Sequence, residues 1–337
     1  ASAHLVFPFR DETAELLEKI IQEQNHWTFN YYLALIYWNK GRIEDAKKLF
    51  RNCRNVEFVP FFLAKARLFH ENPAIREEAL NQAHGMEPDN WRVALALFNE
   101  HFSGAEYERA LKYLDVPIRN HPENAALGLS YARCLIRLED YESSIAFLES
   151  FNVLPFEGAT SGRDLYHEAC LKYTLKKLES EDFYGCLKYA KKALLWPEHL
   201  GAGRPYHVDE RMENYLIGHA FLKLGESDSA RVYFEKTGHF SAGGETTDNY
   251  NLLFQLMALD QLDMDEERDA LLDKRIGPNP DHPYLQWVKA AYEGRPEASA
   301  IRDKIMKETS GEWPGVGTYG NETYRMAARM WQVLRIQ

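Results

Sequence analysis

The chain has 337 residues, 45% hydrophobic, 13% aromatic and 27% charged, which excludes wholesale disorder, collagen and coiled-coil composition. Lys plus Arg number 40 against 51 Asp plus Glu, a formal charge of −11 without a basic stripe, so neither nucleic acid nor an anionic membrane is expected as a partner. No apolar run approaches the roughly 18 residues of a membrane span, and four scattered cysteines without a C-x-x-C point to a reduced, cytoplasmic protein.

The chain opens Ala1-Ser2-Ala3-His4, with neither an initiator Met nor a signal-peptide pattern, and reads as a piece of something longer. Residues 1–9 form a lead segment. Asp11-Glu12-Thr13 then lead a helix expected to cap a stack of hairpins. From 10 to 309 the sequence repeats. In "NYYLALIYWNKGRIEDAKKLF" a helix carries small Ala34 and aromatic Tyr37, Gly41 marks a turn, and Ala46 and Phe50 face back from a second helix. Ala83 and Pro88 mark a degenerate copy, and Ala110 with Leu114 another, ended at Pro122 because proline cannot continue the hydrogen-bond ladder. Ala132, Leu138, Ser144 and Leu148 continue the series. The cleanest copy starts at Glu213: Ile217, Gly218 and Phe221 share a face, Gly225-Glu226-Ser227-Asp228 turns, and Ala230, Tyr233 and Phe234 face back. Ala258 and Ala270 mark a further hairpin.

The small residues let antiparallel helices approach closely, and the aromatics fill the space beside them as core. Cys53 and Cys186 occupy small apolar positions, where a buried thiol is inert. Residues 310–337 supply a Gly/aromatic loop and a last helix from Asn321-Glu322 through Arg335, expected to cap the far end. No alternating Val/Ile/Thr-rich stretch argues for a sheet. The predicted class is all-α, a solenoid of antiparallel helix hairpins.

This residue set resembles the tetratricopeptide repeat family. The resemblance implies an α-α superhelix whose first helices line a concave surface that takes peptides. At first-helix positions stand Tyr31, Leu35 and Trp38, an apolar stretch, and later Arg133, Arg137, His219 and Lys223, with Arg133 and Arg137 one turn apart and able to meet an acidic segment. The Asn residues of the family's carboxylate clamp are missing, so chaperone-tail binding is not expected. The expected function is a non-catalytic scaffold for protein–protein or domain–domain contact.

Long inter-hairpin loops fall at 153–164, 196–209 and 237–248. Loops of this length are functional more often than short connections are. The first precedes a hairpin and the second comes after the same hairpin, which brings them together. They carry Glu157, Arg163, Trp196, Glu198, Arg204 and Tyr206, a set suited to a sugar or an anion by stacking and bidentate hydrogen bonds. An accessory ligand-binding module is therefore the alternative function. "LPFEGATSGRDLYHEA" and "WPEHLGAGRPYHVDERMENYL" also look like the tetratricopeptide half of large Bacteroides-type bacterial proteins, in which a β-rich, mutarotase-like region precedes the repeats. That resemblance implies the β-rich domain of a parent chain as a partner.

Catalytic signatures fail on context. "GVGTYG", Gly315 to Gly320, fits G-x-G-x-x-G, but no strand precedes it and the chain stops before an acidic partner. His70-Glu71 and His167-Glu168 do not continue as H-E-x-x-H, since Ala74 and Leu171 take the second histidine's place. No nucleophile elbow and no phosphate-binding loop occurs. No enzyme activity, metal or cofactor is expected.

Overall fold

A computed structural model describes residues 9–155, 159–241, 249–309 and 318–335, and every regular element among them is helical. The chain divides into two compact units, Ala1–Leu127 and Gly128–Gln337. Unit 1 holds α1 (Asp11–Glu23), α2 (Trp27–Asn39), α3 (Ile43–Asn52), α4 (Val59–Leu68), α5 (Pro73–Met86), α6 (Trp91–Ser103), α7 (Tyr107–Lys112) and α8 (Asp115–Asn120). The division falls inside α9 (Ala125–Arg137). Unit 2 continues with α10 (Tyr141–Ser150), α11 (Ser161–Glu179), α12 (Phe183–Ala193), α13 (Arg211–Lys223), α14 (Ser227–Gly238) and α15 (Leu252–Gln261). It ends with α16 (Asp265–Ile276), α17 (Pro283–Tyr292), α18 (Ala298–Thr309) and α19 (Thr318–Leu334). The expected class holds: an all-α stack of antiparallel hairpins, α2–α3, α4–α5 and α6–α7 in unit 1 and α11–α12, α13–α14, α15–α16 and α17–α18 in unit 2. No helix among the described residues is long and apolar enough to cross a membrane.

One turn chemistry is reused throughout. Gly41, Ala105, Glu139, Glu181, Gly225, Asp263 and Gly294 all sit at hairpin turns with φ between 56° and 79°. At each, the next residue's N–H reaches back five residues to a helical carbonyl, as Arg42 does to Tyr37 at 2.8 Å and Asp140 to Leu135 at 3.0 Å. This left-handed closure satisfies carbonyls that a helix end leaves open. Glycine takes it at Gly41, Gly225 and Gly294, whereas Ala105, Glu139, Glu181 and Asp263 adopt it despite a Cβ. Ala has no polar side chain to offset that conformation. Ala105→Gly should therefore stabilise unit 1 by about 0.5–1 kcal/mol, after the greater chain entropy of glycine is deducted. Urea unfolding followed by circular dichroism measures it.

The small-residue and aromatic positions do the packing assigned to them. Ala34, Ala46, Ala110 and Ala132 are fully buried, with Phe50 stacked on Phe61 at 5.0 Å between centroids. A Cβ on Gly218 would stand 2.8 Å from the Phe234 ring, so only glycine lets α13 and α14 approach this closely. Ala258 is buried but Ala270 is exposed: α15 and α16 pair, yet α16 buries only Ile276. All four cysteines are free and buried, and burial pushes the thiols of Cys53, Cys170 and Cys186 up to about 12, leaving them protonated and unreactive.

The last helix departs from a simple end cap. It begins at Thr318 and folds back onto α11, where Arg329 meets Glu179 at 2.8 Å and Glu322 meets Lys172 at 3.4 Å. Its Tyr324 and Trp331 pack edge-on against Trp287 of α17. Packed by α10, α12 and α19, α11 buries His167 and Glu168; packed by α12, α14 and α15, α13 buries Glu213 and His219.

Candidate functional site

The 153–164 and 196–209 loops meet. Val153 N–H donates to the His199 carbonyl at 2.8 Å, and the His199 ring donates to the Leu148 carbonyl at 3.0 Å. A Cβ on Gly162 would fall 2.9 Å from the Leu200 carbonyl oxygen, so the first turn of α11 lies directly on the second loop. Arg163 projects from that turn. It is 4% exposed, donates to the Ala193 carbonyl at 2.8 Å and stacks over Trp196 at 4.3 Å. Stacking on an indole while donating to a helix C-terminus suits a buried guanidinium.

Beside this contact lies a cleft of about 300 Å³ whose walls include Arg163, His167, Trp196, Glu213, Tyr250 and Asn251. Arg163 and His167 stand one turn apart on α11, which puts them on one face. Glu213 comes from the first turn of α13, and Asn251 from a short 3-10 turn at Asn249–Asn251. His167 Nε2 and Glu213 Oε1 are 2.5 Å apart and both residues are buried, so the carboxylate fixes the ring. Tyr250 and Thr323 of α19 share a hydroxyl–hydroxyl hydrogen bond of 2.6 Å. On the same wall, burial raises the Asp164 carboxyl above its ordinary value, partly offset by a hydrogen bond from Thr160. Next to it, Arg211 is 1% exposed and forks onto Asp209 at 2.6 and 2.8 Å, with Nη1 donating to Gln255 at 3.0 Å. Gln255 in turn donates to the carbonyls of Gly238 and Phe240.

Of the loop residues singled out in the sequence, Arg163 and Trp196 line this cleft. Arg204 is exposed and paired with Glu210 at 2.6 Å; Glu198 is exposed and Tyr206 wholly so. Glu157 lies outside the described residues, as do 1–8, 242–248 and 310–317, the last taking in much of the glycine-rich stretch. Asp209, Arg211, Glu213, Asn251 and Gln255 carry no site signal in the sequence, and His167 stands out there only through the H-E-x-x-H pattern that Leu171 breaks. The spacings Arg163/His167 and Asp209/Glu213 hint at paired faces, but nothing local joins His167 to a carboxylate 46 residues on.

The groove residues scatter. Tyr31 is core, packed against Trp27, Phe50, Phe58 and Phe61, and burial raises its hydroxyl to about 12. Leu35 is half-buried against the same cluster. Arg137 is not open to an acidic segment, because it meets Glu168 at 3.2 Å and Glu322 at 4.0 Å. Its neighbour Arg133 is exposed, His219 is buried beside Tyr215 and Phe183, and Lys223 is exposed at the end of α13. Trp38 lines a second, larger cleft, in unit 1. That cleft holds about 820 Å³ and is walled by Trp38, Leu63, Ala66, Leu80 and Ala96 with Arg67 beside them. Its other cations are engaged, Lys47 with Glu44 at 3.0 Å and Arg76 with Glu100 at 2.5 Å. Arg67 is exposed, lies 5.9 Å from the Trp38 ring and makes no ion pair among the described residues. The described residues hold no cluster of three or more His, Cys, Asp or Glu side chains able to bind a metal ion.

No curated protein matches the chain. Solved structures similar to it include PilF of Pseudomonas aeruginosa, 14% identical with a TM-score of 0.35, covering 83% of this chain and 99% of that one. The Naa15/Naa10 complex bound to HypK-THB matches at 16% identity and a TM-score of 0.47; the similarity covers 94% of this chain and about half, 52%, of that one. The tetratricopeptide domain of P58(IPK) matches at 12% identity and 0.24, over 97% and 98%. Tetratricopeptide family models match residues 29–53, 95–151 and 214–236, which fall on α2–α3, on α6 through α10, and on α13–α14. This chain carries tetratricopeptide repeats.

Proposed function

We propose that the chain is a non-catalytic interaction scaffold whose unit 1 cleft takes a short peptide of apolar and acidic character from a protein partner. Repeats of this kind suggest protein–protein interaction, and the cleft supports the reading more closely. It lies along α2, α4 and α6, within reach of two of the matched repeat segments. Its walls are mostly apolar, which suits one buried anchor side chain. The exposed Arg67 guanidinium beside Trp38 suits a carboxylate next to that anchor. A free peptide or an extended flank of another domain of the parent protein satisfies the same chemistry.

Peptide display on the intact chain tests this. Enriched sequences should pair a large apolar residue with Asp or Glu. Trp38→Ala should weaken the best peptide by about 2 kcal/mol, some thirtyfold. Arg67→Glu should weaken acidic peptides and spare their Asn/Gln counterparts. Absence of enrichment, or affinities indifferent to both substitutions, would sink the reading.

A further inference from the structure

We propose that the outward face shared by α12 and α14 in unit 2 docks an acidic, amphipathic segment of a partner protein. On α12, Tyr184, Lys188 and Lys191 stand at i, i+4 and i+7, which places them on one face, opposite the buried Cys186, Tyr189, Ala190 and Ala193. Both lysines are exposed, as are Tyr184 at 73% and, two residues beyond the helix, Leu195 at 52%. A row of side chains carries the face on to α14. The Lys191 ammonium lies over the Phe221 ring at 4.9 Å, Phe221 of α13 stacks on Tyr233 of α14 at 5.7 Å, and the Lys236 ammonium lies over Tyr233 at 4.4 Å. Val232, next to Tyr233, is exposed.

Charge decides the kind of partner. Lys188, Lys191 and Lys236 make no ion pair among the described residues, whereas neighbouring cations are matched: Lys177 with Asp182 at 2.8 Å, Lys192 with Glu149 at 2.6 Å and Arg231 with Glu235 at 3.0 Å. The exposed Glu181, Glu226 and Asp228 sit at the hairpin turns that open the two helices. Each of the three unmatched ammoniums lies over a ring, Lys188 over Tyr189 at 5.0 Å. A ring holds a lysine in place without cancelling its charge, so part of the cost of ordering a long side chain is met before a carboxylate arrives. Tyr184, Leu195 and Val232 add apolar surface that a small anion would leave uncovered, and that an amphipathic segment covers. Nucleic acid or an anionic bilayer would be repelled at long range by a chain of formal charge −11, whereas a short segment with two or three carboxylates meets only the local field. The face does not use the unit 1 cleft, and either reading stands without the other.

The test is peptide display, with a random library selected on the intact chain and counter-selected on the triple variant Lys188→Glu/Lys191→Glu/Lys236→Glu. Enriched peptides should carry two or more Asp or Glu among apolar residues. For the best of them, Lys191→Glu and Lys236→Glu should each raise the dissociation constant about tenfold and Lys191→Gln about threefold. Raised salt should weaken binding too, and a peptide with Lys in place of one Glu should recover affinity for the Lys191→Glu variant. Circular dichroism should show the fold unchanged, because all three lysines are exposed. Should the triple variant unfold, Lys188→Gln with Tyr184→Ser decides, by weakening the same peptides. Trp38→Ala in unit 1 should leave these affinities unchanged, which separates this face from the peptide cleft. No peptide that distinguishes the chain from its lysine variants, enrichment of basic peptides, or lysine-dependent binding of oligothymidine or phosphatidylserine vesicles in place of any peptide would overturn the proposal.

Discussion

Arg211→Ala should destabilise unit 2 by about 3–5 kcal/mol, the cost of breaking a buried ion pair from one side. The guanidinium is 1% exposed and the Asp209 side chain 5%, so its loss strands a carboxylate in the interior. Gln255 loses its donor as well, and with it part of the hold on the Gly238 and Phe240 carbonyls that ties α14 to α15. The Coulomb attraction of the pair does not set this figure, because desolvation of both ions offsets most of it. The orphaned charge does. Arg211→Met combined with Asp209→Asn should therefore recover a substantial part of the loss: the amide oxygen still accepts the backbone N–H at position 211, now without a buried charge. Thermal and urea unfolding of the three proteins, read at the unit 2 transition, checks the order. A double variant as unstable as the single one would show that the fork itself, and not the stranded carboxylate, carries the effect.

Trp287→Ala should cost about 3–5 kcal/mol and loosen α19 before the rest of unit 2. Trp287 is fully buried in α17, with Tyr324 and Trp331 of α19 edge-on to it at 5.1 and 6.1 Å. Removing the indole leaves a cavity that two aromatic neighbours cannot fill without shifting. The remaining ties of α19 are the Tyr250–Thr323 hydrogen bond, the contacts of Tyr324 with Tyr250 and Tyr284, and ion pairs with α11 and α9, several of them partly exposed and worth little on their own. Hydrogen exchange should accordingly show α19 amides losing protection first, with α13 and α14 nearly unchanged. Trp287→Phe should cost much less, because the phenyl ring keeps most of the packing and removal of the buried, unpartnered Trp287 Nε1–H relieves its desolvation cost. Equal protection loss across all of unit 2 would place α19 inside the cooperative core instead of at its margin.

The hairpins were legible because they are local. Ala34 with Ala46 and Gly218 with Ala230 lie close enough in sequence for spacing to reveal the contact, and the period then repeats. The turns were half legible. Gly41 and Gly225 announce a positive φ, while Ala105, Glu139, Glu181 and Asp263 adopt it despite a Cβ, against their own preference. Tyr31 shows the reverse failure: a helical spacing shared with Leu35 and Trp38 suggested a surface stripe, yet α2 is covered on so much of its circumference that the tyrosine is core.

By itself the sequence determined the all-α class, the repeat, the small-residue seams and the meeting of the two central loops, all of which arise from contacts between neighbours along the chain. Only the tertiary structure decided that Arg137 is engaged by Glu168, and that α19 returns to α11 from 150 residues away and brings Glu322 to the same pair. It alone joined His167 to Glu213, and Arg163 and Trp196 to Asn251, around one cleft. The physical reason is the same in each case. A hydrogen bond or packed ring between distant residues is selected by the fit of whole helices, so a buried carboxylate and an exposed one are written with the same letter.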